Sequence, residues 1–219
     1  SGLYKVSLSQ QVLAQYKSEN AENDNWNSEK LCNDWINCII QDDEGLLWIG
    51  TCNGLSCLEP ETETFLNILD RNNPLTKAFI HTLLQDDNGY IWIGTSEGLY
   101  RFDKKDKKHI QYNIEQGLPS NVICGILEDN NGNLWISTHQ GISKFIQKTG
   151  TFVNYYASEG LQGNEFTRGA YFQDQRGKMF FGGTSGITSF FSHEITMQKR
   201  RLKVEITDCM LANRSIRKG

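Results

Sequence analysis

The chain has 219 residues, with 22 Lys and Arg against 26 Asp and Glu and a formal net charge of -4. An acid-leaning chain without an overall basic face is not built to hold nucleic acid. Hydrophobic residues make up 38% and aromatics 11%, and no apolar run approaches the roughly 18 residues of a spanning helix. No membrane contact by this segment is therefore expected, and no charged-then-apolar start resembles a secretory leader.

From the N-terminus, Ser1-Gly2-Leu3-Tyr4-Lys5-Val6 reads like Glu97-Gly98-Leu99-Tyr100-Arg101-Phe102, so the chain opens in mid-repeat. Gly2 to Gly54 is 52 residues, about eight more than the later intervals, which places a polar insert after the opening copy. The first full copy is Asp42-Asp43-Glu44-Gly45-Leu46-Leu47-Trp48-Ile49-Gly50-Thr51-Cys52-Asn53-Gly54-Leu55. Gapless copies begin at Asp86, Asp129 and Asp174. The aromatic slot recurs at Trp48, Trp92, Trp135 and Phe180, in steps of 44, 43 and 45 residues.

Each unit predicts four short strands. An apolar run such as Phe79 to Gln85 or Val122 to Leu127 leads into Asp-x-x-Gly. That is a hairpin turn: Asp bonds its own backbone and Gly supplies positive φ. Trp-Ile-Gly-Thr is the second strand, and its Gly suits a crowded position. Gly54, Gly98, Gly141 and Gly186 turn the chain into a third strand, and runs such as His109 to Ile114 or Thr151 to Tyr156 form the fourth.

Four short antiparallel strands repeating at this period define a β-propeller blade, and the indoles are the natural filler between blades. Helical repeats are excluded, because no segment sustains a 3.6-residue period. The expected fold is all-β, a partial propeller arc of four-stranded antiparallel blades with a repeat of about 44 residues. Its parts are a partial blade of third and fourth strands (1–17), a linker or insert (18–34), three blades (35–70, 71–114 and 115–157), a last blade (158–195) and a C-terminal linker with a strand (196–219).

The form D-x-x-G-x-φ-W-I-G-T-x-x-G-φ resembles the two-component regulator propeller repeat of the sensor regions of Bacteroides-type hybrid two-component kinases. The lead-in Gly117-Leu118-Pro119-Ser120-Asn121-Val122-Ile123 is similar to that family's G-L-P-S-N-x-φ. Leu161 to Ala170, followed by Phe180-Phe181-Gly182-Gly183-Thr184-Ser185-Gly186-Ile187, resembles the last blade of such sensors, with Ser192 where Pro is usual. Val204 to Ile216 is similar to the first strand of the immunoglobulin-like domain that follows.

The resemblance covers essentially the whole chain. It implies a periplasmic ectodomain segment of an inner-membrane sensor that detects glycan-derived oligosaccharides and passes a conformational signal to a histidine kinase absent from this segment. The implied partners are an oligosaccharide, the remaining blades and the immunoglobulin-like domain of the same protein. The incomplete ends add a possible homodimer, each copy covering the other's open blade faces.

No chemistry-bearing motif competes with this. His81, His109, His139 and His193 are scattered, His193-Glu194 lacks the second His of a zinc protease helix, and no G-x-S-x-G is present. Asp129-Asn130-Asn131-Gly132-Asn133 has Leu134 where a calcium loop needs Gly, and reads as the repeated hairpin turn. The six Cys include no C-x-x-C pair; Cys52 and Cys57, close in sequence, read as separate thiols. No enzyme, metal or cofactor is therefore expected. Lys104-Lys105-Asp106-Lys107-Lys108 reads as a solvated turn, and Lys199 to Lys203 as a basic connector.

In a propeller, the loops entering first strands and those joining second to third strands open on one face around the axis. That mapping offers Trp35, Asn53, Glu97, Asn121, His139, Asn164, Glu165 and Arg168 as ligand-binding candidates. A ring can stack on a sugar's C–H face while amides, carboxylates and guanidinium take its hydroxyls. The alternatives are a protein-interaction scaffold and a propeller lyase or glycan hydrolase. The enzyme would need His or carboxylates at the innermost first-strand positions, where His81 stands alone among Ile, Leu, Val, Cys and Gly.

Overall fold

The computed structural model describes residues 2–18, 29–195, 210–211 and 214–215. The fold is an all-β propeller arrangement of four blades built as simple antiparallel meanders. A two-stranded sheet, β1 (Leu3–Val6) and β2 (Val12–Tyr16), precedes them. The first full blade holds β3 (Ile36–Gln41), β4 (Leu47–Thr51), β5 (Gly54–Glu59) and β6 (Thr64–Phe65). The second holds β7 (Ile80–Gln85), β8 (Ile91–Thr95), β9 (Leu99–Asp103) and β10 (Lys108–Tyr112). The third holds β11 (Ile123–Glu128), β12 (Leu134–Thr138), β13 (Gly141–Ile146) and β14 (Thr151–Tyr155). The last has three strands, β15 (Phe166–Gln173), β16 (Lys178–Gly183) and β17 (Gly186–Phe191). The first strands β3, β7, β11 and β15 lie side by side in that order, and β7 also touches β15, so these strands line the axis.

The Asp-x-x-Gly turns form as the residues dictate. Asp42 Oδ1 accepts the backbone N–H groups of Glu44 at 3.0 Å and Leu46 at 2.9 Å. The second-turn glycines Gly54, Gly98, Gly141 and Gly186 all take left-handed φ, between +104° and +133°. The fourth strand of the second blade stops at Tyr112, short of the expected Ile114. Asn113 there caps a 3-10 turn over Ile114–Gln116, its side chain taking Glu115 N at 2.7 Å while Gln116 Oε1 takes Asn113 N at 2.9 Å.

Each core is a seam between neighbouring blades. Trp48, Leu55 and Cys57 pack on Ile80, Leu83, Tyr100 and Phe102 of the next blade. Trp92 and Leu99 pack on Ile123, Ile126 and Phe145. Trp135 and Ile142 pack on Phe166, Met179 and Phe181. The opening strands contribute Leu3 and Tyr16 against Leu31, Ile49 and Leu58. The Gly of Trp-Ile-Gly-Thr makes room for a side chain rather than for backbone: a Cβ on Gly94 would lie 2.6 Å from Ile123 Cγ2 of the next blade.

A pairing absent from the sequence reading anchors each indole. Trp48, Trp92 and Trp135 are at most 1% exposed and donate Nε1–H to the turn carboxylates of Asp42 (2.8 Å), Asp86 (2.7 Å) and Asp129 (3.0 Å). A buried carboxylate and a buried indole thereby satisfy one another. Burial would raise the Asp42 carboxyl, but hydrogen bonds from Trp48, Lys104 and Leu46 outweigh it and hold its pKa below the ordinary value.

Two residues depart from what the repeat predicts. Phe180, in the aromatic slot of the last blade, is only half-buried, and its ring lies 6.2 Å from the exposed Phe172 ring. No described blade packs on that side, and a phenyl ring has no N–H for Asp174, which pairs with Arg176 instead. Lys104 is not a solvated turn residue: its ammonium reaches across the first seam to Asp42 (3.1 Å), Asp43 (2.8 Å) and Glu44 (3.0 Å). Of the expected strand Val204–Ile216, only Met210–Leu211 and Arg214–Ser215 are described, and they pair antiparallel; the rest of that strand, the basic connector Lys199 to Lys203 and residues 19–28 of the 18–34 insert lie outside the described residues.

Candidate functional site

The axial face is organised by one backbone bond repeated in every blade. Cys52 N donates to Trp35 O (3.0 Å), Ser96 N to Phe79 O (3.3 Å), His139 N to Val122 O (3.3 Å) and Thr184 N to Glu165 O (3.2 Å). Trp35, Phe79, Val122 and Glu165 thus hold equivalent positions at the mouths of the first strands. Trp35 is 72% and Phe79 38% exposed, whereas the indoles of the Trp-Ile-Gly-Thr strands are buried.

The last blade departs from the repeat at this place. In the second blade His81 and Thr82 lie opposite Gly94, whereas in β15 four residues, Thr167–Ala170, lie opposite Gly182. The two additional residues form a wide bulge, a device that re-aims side chains. It carries the exposed Arg168 to the second blade, where the guanidinium carbon lies 5.6 Å from the centroid of the Phe79 ring. The Phe79 ring in turn lies 4.8 Å from the His81 imidazole, and His81 Nε2 is 2.9 Å from Ser96 Oγ. Burial, reinforced by the charges of Arg168 and His139, pushes the His81 pKa down to about 4. The imidazole is therefore neutral at pH 7 and offers one donor and one acceptor.

Beneath this cluster Tyr171 spans the axis. Its ring presses on Gly125 of β11, where a Cβ would collide with the ring edge, and its hydroxyl meets Thr82 Oγ1 of β7 at 2.7 Å. Burial pushes the Tyr171 hydroxyl pKa up. The result is a chain of contacts across the axial face, from Arg168 through Phe79 and His81 to Ser96, above the Tyr171–Thr82 pair. A groove of about 610 Å³, lined by Ser120, Asn121, Gln140, Asn154 and Tyr156 among others, lies on the flank of the third blade.

Arg168 lies over the Phe79 ring, and Arg168 and His139 both act electrostatically on His81. Trp35, Asn53 and Glu97 are exposed, the last two with backbone N–H groups held by Thr51 Oγ1 and Thr95 Oγ1. Asn121 and Asn164 have bracing tasks: their Oδ1 atoms accept Ile114 N (3.0 Å) and Ala157 N (2.7 Å), fastening the 3-10 turns before the third and last blades. Glu165 contributes its carbonyl to Thr184 N, while its side chain is exposed. Phe79 and His81 were missed as binding candidates. Phe79 was legible in principle as the repeat equivalent of Trp35; its meeting with Arg168, 89 residues on, was not.

Among the described residues, no group of three or more His, Cys, Asp or Glu is placed to hold a metal ion, and no helix is long and apolar enough to cross a membrane. Cys52 and Cys57 are separate thiols. Burial raises the Cys57 pKa to about 12.

The repeated axial bond and the indole-filled seams define a β-propeller. Residues 30–53, 74–97 and 117–140 match the two-component regulator propeller family. It is similar to the extracellular domain of a hybrid two-component system from B. thetaiotaomicron, at 26% identity and a TM-score of 0.72, over 99% of this chain and 30% of that one. A second such domain from B. thetaiotaomicron matches at 23% identity and a TM-score of 0.68, over 86% of this chain and 24% of that one. Virginiamycin B lyase from Staphylococcus aureus shares the fold at 16% identity and a TM-score of 0.58, over 85% of this chain and 61% of that one. The chain thus spans less than a third of each of these extracellular domains. No curated protein sequence matches it.

Proposed function

We propose that this chain is part of the extracytoplasmic ligand-sensing region of a hybrid two-component sensor, and that its axial face takes part in recognising a glycan-derived oligosaccharide. The observation that carries the reading is the exposed Phe79 ring beside Arg168 and neutral His81, which meets Ser96, with the exposed Trp35 ring in the equivalent position of the first blade. Rings cover the C–H faces of a sugar, and this donor and acceptor set serves its hydroxyls. The groove beside Asn121 and Gln140 gives room for further sugar units. A ligand that fits two arrangements of the blades unequally would shift their balance and so carry a signal toward the membrane. Sensor identity is supported by the family match and the likeness to a bacterial sensor's extracellular domain; the sugar is supported by the site chemistry.

The test is calorimetric titration of the intact extracytoplasmic region with a glycan library, alongside Phe79→Ala and Arg168→Ala. The reading expects saccharide binding that weakens at least tenfold in each variant, as for loss of about 1.4 kcal/mol. Binding of a peptide or protein with no response to any saccharide overturns the sugar assignment. Saccharide binding indifferent to both substitutions places the site elsewhere.

A further inference from the structure

Two successive blade seams use the same scaffold with different charges. At the first seam, Gln85 of the second blade faces the Asp42–Glu44 turn of the first. Its Oε1 accepts Asp43 N at 2.8 Å, and its Nε2 donates to Asp43 Oδ1. Lys104 supplies the cation. At the second seam, one repeat on, Glu128 takes the place of Gln85 and Gln147 that of Lys104, against Asp86, Asp87 and Asn88. Glu128 Oε2 accepts Asp87 N at 3.1 Å, reproducing half of the Gln85 arrangement. Its Oε1, in the repeat position of the donating Gln85 amide, is buried without a hydrogen-bond partner, and so is Gln147 Nε2. These two atoms are the only such side-chain atoms among the described residues, and both belong to the positions changed at this seam.

We infer that Glu128 is a proton-operated latch between the second and third blades: protonated on Oε1, it donates to the Asp87 carboxylate as the Gln85 amide donates to Asp43. The proton comes from solvent and returns to it, and no bond other than O–H changes. Deprotonated, the seam sets carboxylate against carboxylate with no lysine between them, and it loosens. A buried oxygen without a partner is costly in one ionisation state and satisfied in the other.

The groups facing Glu128 agree. Burial acts first to raise its pKa, to about 7, with the carboxylates of Asp87, Asp86 and Asp129 adding to the effect and the Asp87 backbone N–H opposing it. Of the cations on the two blades, Lys144 is engaged with Asp129 at 3.8 Å and the Arg101 guanidinium lies over the Tyr90 ring at 4.5 Å. Because the folded pKa lies above the ordinary 4.5, the proton's contribution is complete below about pH 4.5 and is lost as pH rises through 7.

The experiment combines infrared titration of protonated carboxyl groups with thermal unfolding of the 219-residue chain, Glu128→Gln and Gln147→Lys, from about pH 4.5 to about pH 8.5. The latch predicts a protonated-carboxyl band that titrates near 7 and is missing from Glu128→Gln. It also predicts that Glu128→Gln gains Tm over the parent progressively as pH rises, with the difference levelling off above 7. Gln147→Lys, which restores the cation of the first seam, moves the band's titration to lower pH. Absence of a Glu128-dependent band, an equal Tm difference at about pH 5 and about pH 8, or no response to Gln147→Lys overturns the latch.

Discussion

Replacing Trp92 by Phe and Trp48 by Phe removes nearly the same ring volume from two nearly identical pockets, yet the consequences differ. Both indoles are at most 1% exposed, so the packing loss is common to the pair, about 1–2 kcal/mol for a partial truncation. The hydrogen-bond loss is not common. Asp42 Oδ2 receives Trp48 Nε1 and also Lys104 Nζ at 3.1 Å, so Trp48→Phe leaves it a donor. Asp86 Oδ2 receives Trp92 Nε1 at 2.7 Å and no second donor among the described residues, while Oδ1 is committed to Asn88 N and Tyr90 N. Trp92→Phe thus strands a buried carboxylate oxygen, at a further cost of about 2 kcal/mol. For a chain of this length that gap corresponds to about 4–8 °C in Tm. Thermal unfolding followed by circular dichroism reads it directly. In a Lys104→Met background the advantage of Trp48→Phe disappears, because the second donor is gone. Equal melting of the two single variants, or a larger loss in Trp48→Phe, would refute the assignment of these carboxylates as the partners that make the indoles costly to replace.

Gly125→Ala drives a methyl into the Tyr171 ring and lowers stability by about 1–3 kcal/mol in denaturant melts, whereas Tyr171→Phe loses only the Thr82 contact, about 1 kcal/mol. His81 gives the opposite pH signature to Glu128. Its folded pKa near 4 lies below the ordinary 6.5, so the unfolded chain takes up a proton first. Its contribution is complete above about pH 6.5 and is lost as pH falls toward 4, about 1–2 kcal/mol after solvent screening. Melts of His81→Gln across that window lack this component, and an unchanged acid limb would show that His81 is not responsible. Phe79→Ala and Arg168→Ala, both at an exposed surface, leave Tm within a few degrees of the parent while weakening ligand, which unfolding and titration on the same samples separate.

The strands, turns and buried rings were legible because each follows from a local rule. The recurring Trp-Ile-Gly-Thr run between two turns marks a second strand, a Gly at the next turn accepts positive φ, and Asp-x-x-Gly closes on its own backbone. The expectation for Phe180 failed because burial in a propeller belongs to a pair of blades: the same slot is core where a neighbour follows and half-open where none is described. Lys104 failed as a solvated residue for the same reason, since its turn is polar within its own blade but lies against the carboxylates of another.

The sequence by itself determined the repeat, the class of fold and the residues that must leave water, because those depend on periodicity and composition within a single unit. The tertiary structure alone decided which charges meet. Arg168 reaches Phe79 through a bulge two residues wider than its counterparts, and Glu128 Oε1 and Gln147 Nε2 are left without partners where Gln85 and Lys104 one blade earlier are paired with the facing turn. Such contacts depend on how wedge-shaped sheets are set around an axis, and local hydrogen bonding and hydrophobic alternation carry no record of that geometry.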